Sequence, residues 1–197
     1  MSESAKKSTA NADNTNAPRQ SSNSPASGAS GWLWLSLLII ILDQATKAVV
    51  ANSLDLYERV AVLPMLEFTH QHNTGAAFSM LDHASGWQRW LFICLGLAVS
   101  GGLMMWLRTI RNNEQTLLAV GLALVLGGAL GNVIDRVWLG YVIDFVHIHW
   151  DSVSFSFPAF NVADAAITVG ASCLFLDAFL EGRAQSAAVA TKPDQRS

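Results

Sequence analysis

Four apolar blocks, separated by polar segments, constrain this chain more than any other feature. They fall at about 32–51, 87–108, 115–137 and 159–180. An α-helix rises about 1.5 Å per residue, so roughly 20 apolar residues match a hydrocarbon core of about 30 Å. Bunching of this kind leaves a soluble globule no way to cover its apolar surface. With 51% hydrophobic and only 14% charged residues in 197, the chain reads as an α-helical integral membrane protein with four transmembrane helices. The first block, WLWLSLLIIIL, is short enough to suggest a signal-peptide core. The long polar stretch before it and the lack of a small-x-small cleavage site after it favour a spanning helix.

The remaining composition excludes other classes. A formal net charge of −3 argues against a nucleic-acid partner. The two cysteines, Cys94 and Cys173, each lie inside an apolar block, which rules out a disulfide scaffold or a zinc knuckle. No GxSxG, phosphate-binding loop, dinucleotide glycine motif or HExxH occurs. A Ser/Lys dyad built on Lys47 finds no serine at the membrane edge to complete it.

Residues 1–30 are rich in Ser, Asn, Ala and Pro and are expected to be a disordered cytoplasmic tail, as are residues 182–197. The membrane domain is then 31–181. Between the first two helices, 52–86 carries strand-like alternation in VAVLPMLEFTH, followed by the small-residue run NTGAAF. A second connection, 138–158, holds GYVIDFV as a short interfacial element. Pro158 suits the first turn of the fourth helix. Trp87, Trp90 and Trp106 suit interfacial anchoring of the second, and Gly127 and Gly131 form a GxxxG pair for close packing of the third.

Lys and Arg set the orientation. The N-terminal tail, the turn with Arg108 and Arg111, and the C-terminal tail with Arg183, Lys192 and Arg196 hold most of the positive charge. The positive-inside rule assigns these segments to the cytoplasm and the connections 52–86 and 138–158 to the outer face. Asp144 lies in the second connection. Asp164 falls about one turn into the fourth helix, roughly 6 Å from its outer end.

Other polar residues gather at the same level. Asp43 and Lys47 are spaced for pairing on one helix face; Gly128, Asn132 and Asp135/Arg136 share a stripe on the third helix; Asn161 and Asp164 are three apart; Asn73 belongs to the first connection. An ionised group at the helix centre costs roughly 2.5–3.5 kcal/mol even on lenient scales, so such residues carry function or structure. Asp135–Arg136 also reads as an interfacial charge pair, Asp43–Lys47 as a structural or substrate-positioning pair, and Asn132 and Asn161 as interhelical contacts or a helix cap. Asp144 alone is an ordinary loop aspartate. Two carboxyls able to meet suggest the shared-proton chemistry by which aspartic proteases activate water. The five histidines all fall in outer segments, and His70-x-His72 and His147-x-His149 have the spacing of metal-ligand pairs, but no further motif supports them and no metal or other cofactor is assigned. A proton- or ion-coupled transporter is the rival class, disfavoured because the polar residues share one level and form no path across the membrane. A structural assembly subunit is a third.

Five runs in order, DQATK at 43–47, NTGAAF at 73–78, GGALGNVIDR at 127–136, GYVIDF at 140–145 and FNVADAAI at 160–167, resemble the lipoprotein signal peptidases (signal peptidase II), bacterial membrane aspartic peptidases. The resemblance covers roughly 32–180. It implies a small extracytoplasmic β-cradle and a short periplasmic interfacial helix, over about 52–86 and 138–158. It implies Asp144 and Asp164 as the catalytic dyad. Asp43, Lys47, Asn73, Gly128, Asn132, Asp135, Arg136 and Asn161 would support the site or bind substrate. The substrate would be a diacylglyceryl-modified prolipoprotein, cut just before its lipidated cysteine at the outer face of the bacterial inner membrane. A monomer in contact with membrane lipid, sensitive to globomycin-type inhibitors, is expected. The long N-terminal tail departs from the family core.

Overall fold

The computed structural model describes residues 28–75, 86–110, 115–150 and 155–190. The expected tail over 1–27, the end of the chain from 191, and 76–85, which holds His83 and part of NTGAAF, lie outside the described residues. The elements run α1 (Gly28–Ser53), β1 (Arg59–Leu63), β2 (Leu66–Asn73), α2 (Trp87–Thr109), α3 (Thr116–Trp138), β3 (Val142–Trp150), β4 (Phe155–Phe160) and α4 (Val162–Ala190).

All four helices are long and apolar enough to cross a membrane. α3 is the central one, with 56% of its spanning stretch buried against 17% for each of the others. Small residues explain its position. A methyl on Gly127 would stand 2.8 Å from the Ser36 carbonyl of α1, and one on Gly128 would drive into the Ala163 carbonyl of α4. Adjacent glycines thus serve two neighbours, and backbones approach as bulkier side chains would forbid. Leu107, Ile110, Leu118, Ala119, Leu122 and Leu126 fill the α2–α3 contact. Trp34, Trp90, Leu95, Phe175 and Phe179 stay exposed, as lipid-facing residues do.

The chain ends α1 and α3, and begins α2 and α4, at one end of the bundle. There the four strands form one antiparallel sheet in the order β1-β2-β3-β4. Ile143 and Phe145 of β3 pack on Val50 of α1, tying the sheet to the bundle. Tyr141 and the left-handed Gly140 (φ 91°) make the turn that brings α3 into β3. Arg89 of α2 donates to the carbonyls of Arg136 and Val137 at 2.8 and 2.9 Å, satisfying acceptors that the end of α3 leaves free.

Several expectations need correction. No interfacial helix occupies the described part of 138–158: β3 and β4 take it, so the sheet draws half its strands from the second connection. VIDFVHIHW is rich in β-branched and aromatic residues, which fit a pleated surface better than a helix. Pro158 lies in β4 and not in the first turn of α4. β4 is an edge strand whose register shifts between Ile148↔Phe157 and Val146↔Phe160, and edges and bulges tolerate a residue that cannot donate. α4 therefore begins at Val162, and Asp164, its third residue, lies about 3 Å into the helix, shallower than expected. At its other end α4 continues to Ala190, because residues 183–190 are mostly Ala, Arg, Gln and Ser without Gly or Pro to stop them.

Candidate active site

Asn161 organises the site. It precedes α4, where its Oδ1 accepts from the Asp164 N–H at 2.9 Å. Asp164 Oδ2 in turn accepts from the Asn161 N–H at 3.2 Å. This reciprocal pair is a capping box, with Asn and Asp standing for the usual Ser/Thr and Glu. Asp43 of α1 adds a third link by accepting from the Ala163 N–H at 2.9 Å. Three carboxylate and amide oxygens thus occupy donors that the first turn of α4 leaves unpaired.

The Asn161 side chain also faces the sheet. Its Nδ2 donates to Asp144 Oδ1 at 2.7 Å, with longer contacts to Asn132 Oδ1 (3.2 Å) and the Ile143 carbonyl (3.3 Å). Asn132 of α3 donates to Asp164 Oδ1 at 2.8 Å. Asn73, at the end of β2, donates to Asp144 Oδ2 at 2.9 Å. Asp144 and Asp164 thus belong to one hydrogen-bonded group spanning β2, β3, α3 and α4, and both line one cavity of about 1000 Å³. Asn73, Asn132, Arg136 and Thr168 line it too.

Asp144 is buried, with 3% of its surface exposed. Burial, and next the negative charge of Asp164, push its carboxyl up to about 7; hydrogen bonds from Asn73 and Asn161 work in the opposite direction. Asp164 sits at the positive end of the α4 dipole, a position that suits an anion. Two carboxyls of unlike environment therefore share one cleft, as in shared-proton aspartic chemistry.

A buried ionic cluster lies beside them. Lys47 Nζ reaches Asp43 Oδ2 at 2.7 Å, Asp135 Oδ2 at 2.9 Å and Asn132 Oδ1 at 3.0 Å. Asp135 Oδ2 also accepts from the Ile143 N–H at 3.1 Å, fixing the strand position next to Asp144. Lys47 and Asp43 are 2% and 0% exposed, so neither faces the cleft and both act by holding Asn132, α3 and α4 in place. Arg136 does face the cleft. Its Nη2 donates to the Gly75 carbonyl at 3.1 Å, holding the chain just after Asn73, and its guanidinium lies 4.9 Å from the centre of the Phe92 ring.

The structure thus brings together every residue that the family resemblance assigned to the site except Gly128, whose hydrogen atoms face Ala163 and serve packing. Gln44 was missed. Its Nε2 donates to Asp135 Oδ1 at 2.8 Å and to the Gly131 carbonyl at 3.2 Å, satisfying the acceptor that Lys47 leaves open. Its signal was present: an amide between apolar residues in a membrane segment, next to Asp43. Arg89, one of two charges in α2, carried the same kind of signal.

A family profile described as signal peptidase (SPase) II matches residues 35–180. The lipoprotein signal peptidase of Pseudomonas putida is 54% identical over 159 residues, covering 79% of this chain and 92% of that protein. That of Pseudomonas aeruginosa is 49% identical over 158 residues, covering 80% and 92%. A bacterial membrane enzyme structure obtained by the in meso method at 2.3 Å resolution superposes with a TM-score of 0.68 at 26% identity, covering 85% of this chain and 95% of that one. Matched over its four helices and through all five motif runs, the chain belongs to the signal peptidase II family of membrane peptidases.

Proposed function

We propose that this chain is a membrane aspartic endopeptidase that removes the signal peptide from diacylglyceryl-modified prolipoproteins, cutting just before the lipidated cysteine. The observation that carries the reading is the joint position of Asp144 and Asp164 on one cleft, linked through Asn161. Relatives named lipoprotein signal peptidase, at about half identity, support the substrate class.

In this reading the pair shares one proton. The proton rests on Asp144, whose buried carboxyl is pushed up, and the other member of the pair, at the start of α4, acts as the base. Asp164 takes a proton from water as the water oxygen attacks the scissile carbonyl. Asp144 donates its proton to the carbonyl oxygen. Collapse of the tetrahedral intermediate expels the amine of the lipidated cysteine, which takes the proton held by Asp164, and Asp144 regains its own. Asn73, Asn132 and Asn161 hold the carboxylates in the geometry this requires. Arg136 keeps the segment after Asn73 against the cleft.

Cation distribution supports placing both termini in the cytoplasm and the sheet, with the cleft, on the outer face of the bacterial inner membrane. A diacylglyceryl anchor stays in lipid, so a cleft at the first residues of α4 reaches the peptide bond beside it. We place the chain as a monomer, sensitive to globomycin-type inhibitors. The deciding experiment incubates the purified chain with lipidated and unlipidated forms of one prolipoprotein peptide. Cleavage of the lipidated form alone, at the bond preceding the cysteine, is expected. Equal cleavage of both, or of neither, would overturn the reading.

A further inference from the structure

The geometry points to a binding site for a transition-metal ion of the zinc class on the sheet, formed by Glu67 of β2 with His147 and His149 of β3. The ligand atoms of these three residues lie within 4.8 Å of one another. Sheet register produces the cluster. Glu67 is the direct cross-strand partner of His147, and His149 follows two residues on, so the period of two puts all three on one face. The two imidazoles stack, 5.6 Å between centres and 16° between planes.

The distances approach those a metal needs. Bonds of about 2.0–2.1 Å in a tetrahedron put ligand atoms roughly 3.4 Å apart. His147 Nδ1 already stands 3.2 Å from Glu67 Oε2, and His149 Nδ1 stands 3.9 Å from the same oxygen. Small rotations of the Glu67 carboxylate and of the two imidazoles close the set from the 4.8 Å within which all three ligand atoms already lie. His147 Nε2 lies 3.0 Å from Ser156 Oγ on β4. With the proton on Nε2 donated to Ser156, Nδ1 turns a lone pair toward Glu67, the outer hydrogen bond that metal-binding histidines commonly make. Three protein ligands leave a position for water.

Two imidazoles and one carboxylate select zinc, copper or nickel over magnesium or calcium, which prefer all-oxygen shells. Among the described residues the competing cation is Arg59, and its contact is weak. Arg59 Nη1 is 3.8 Å from Glu67 Oε2 and its side chain is 57% exposed, so an incoming ion displaces it at little cost. His147 and Ser156 also line the cavity that holds Asp144, so the ion would brace the cleft wall three residues along the strand from that carboxyl. The other close histidine pair is built differently: His70 Nδ1 contacts the Leu54 carbonyl at 3.1 Å and His72 stacks on Tyr141 at 3.7 Å, so neither joins the cluster.

Calorimetric titration of zinc into the detergent-solubilised full chain, purified without a polyhistidine tag, tests the site. Saturable binding of one ion is expected, with affinity reduced at least tenfold in both Glu67→Gln and His149→Ala and unchanged in His72→Ala. Magnesium should give no saturable signal. Circular dichroism melts without metal check that each variant is folded, and the near-isosteric Glu67→Gln keeps the test open if His149→Ala is not. Absence of saturable zinc binding, or binding that a folded Glu67→Gln retains in full, overturns the proposal.

Discussion

Asn161 and Asp164 cap one another at the start of α4, and the same Asn161 side chain holds Asp144 at 2.7 Å. One residue therefore carries a stability role and a positioning role that substitution can separate. In Asn161→Ser, a hydroxyl still accepts from the Asp164 N–H, but the donor to Asp144 is gone. Serine and asparagine are comparable caps, so the thermal midpoint should hold while the cleavage rate falls at least tenfold. Asn161→Ala should lose both, with about 1 kcal/mol of stability. A Ser variant as active as the parent would show that the contact with Asp144 is dispensable.

Asp144→Asn and Asp164→Asn should each give an inserted, folded chain with cleavage reduced at least a thousandfold. Both changes remove an ionisable group at nearly constant volume. Purified variants assayed on lipidated peptide, with helicity checked by circular dichroism, provide the measurement. Normal turnover by either variant would remove that residue from the mechanism.

The pH dependence of kcat/KM follows from the raised Asp144 carboxyl, since the proposed mechanism needs the pair singly protonated. As pH rises through about 7, that proton leaves and activity should fall. Folding moves the same way: a carboxyl that ionises more readily when unfolded stabilises the native state less as pH climbs from its ordinary value to its raised one. The Asn73 hydrogen bond favours the ionised form, so Asn73→Ala should move the alkaline limb upward. A limb that stays in place or moves down would contradict the assignment to Asp144.

The four spans and the polar level were legible in the sequence because hydrophobicity in lipid tolerates few exceptions, and each exception stands out. Asp43, Lys47, Asn132 and Asp135 were found that way. Asp144 was harder, since one strand residue among VIDFVHIHW has no local signal; it gained weight only because the charge-based topology puts it at the same outer level as Asp164, and the family resemblance then points to the same pair. Sheet register was not legible at all. Glu67 sits opposite His147 through a pairing that includes a shift between Phe68 and Gln71, and no periodicity in either strand reports it. The end of α4 was misread because hydropathy falls near residue 180 while helix propensity does not.

Lys47→Met tests the buried cluster. The ammonium contacts both Asp43 and Asp135, and its removal leaves two carboxylates buried without their cation. Breaking a buried pair from one side costs roughly 3–5 kcal/mol, so the variant should melt far below the parent and accumulate poorly. Adding Asp135→Asn to it should recover part of the loss by removing one of the two stranded charges, although Gln44 and the Ile143 N–H bond different oxygens of Asp135 and the amide oxygen can keep only one of them. A double variant whose loss equals the sum of the single losses would mean that the two residues do not act on one another.

Gly128→Ala separates packing from chemistry. Its methyl would meet the Ala163 carbonyl in a backbone contact that has no flexible side chain to yield, so α4 must shift away from α3. Because Ala163 lies between Asn161 and Asp164, that shift should pull the Asp164 carboxylate from Asn132 and lower activity along with the melting temperature. Gly101→Ala in α2 is the control. Nothing lies within 4 Å of the new methyl there, and alanine in a helix interior is favoured over glycine by about 1 kcal/mol, so stability should hold or rise. Equal effects at the two positions would mean that loss of glycine, and not the α3–α4 approach, is what the membrane domain feels.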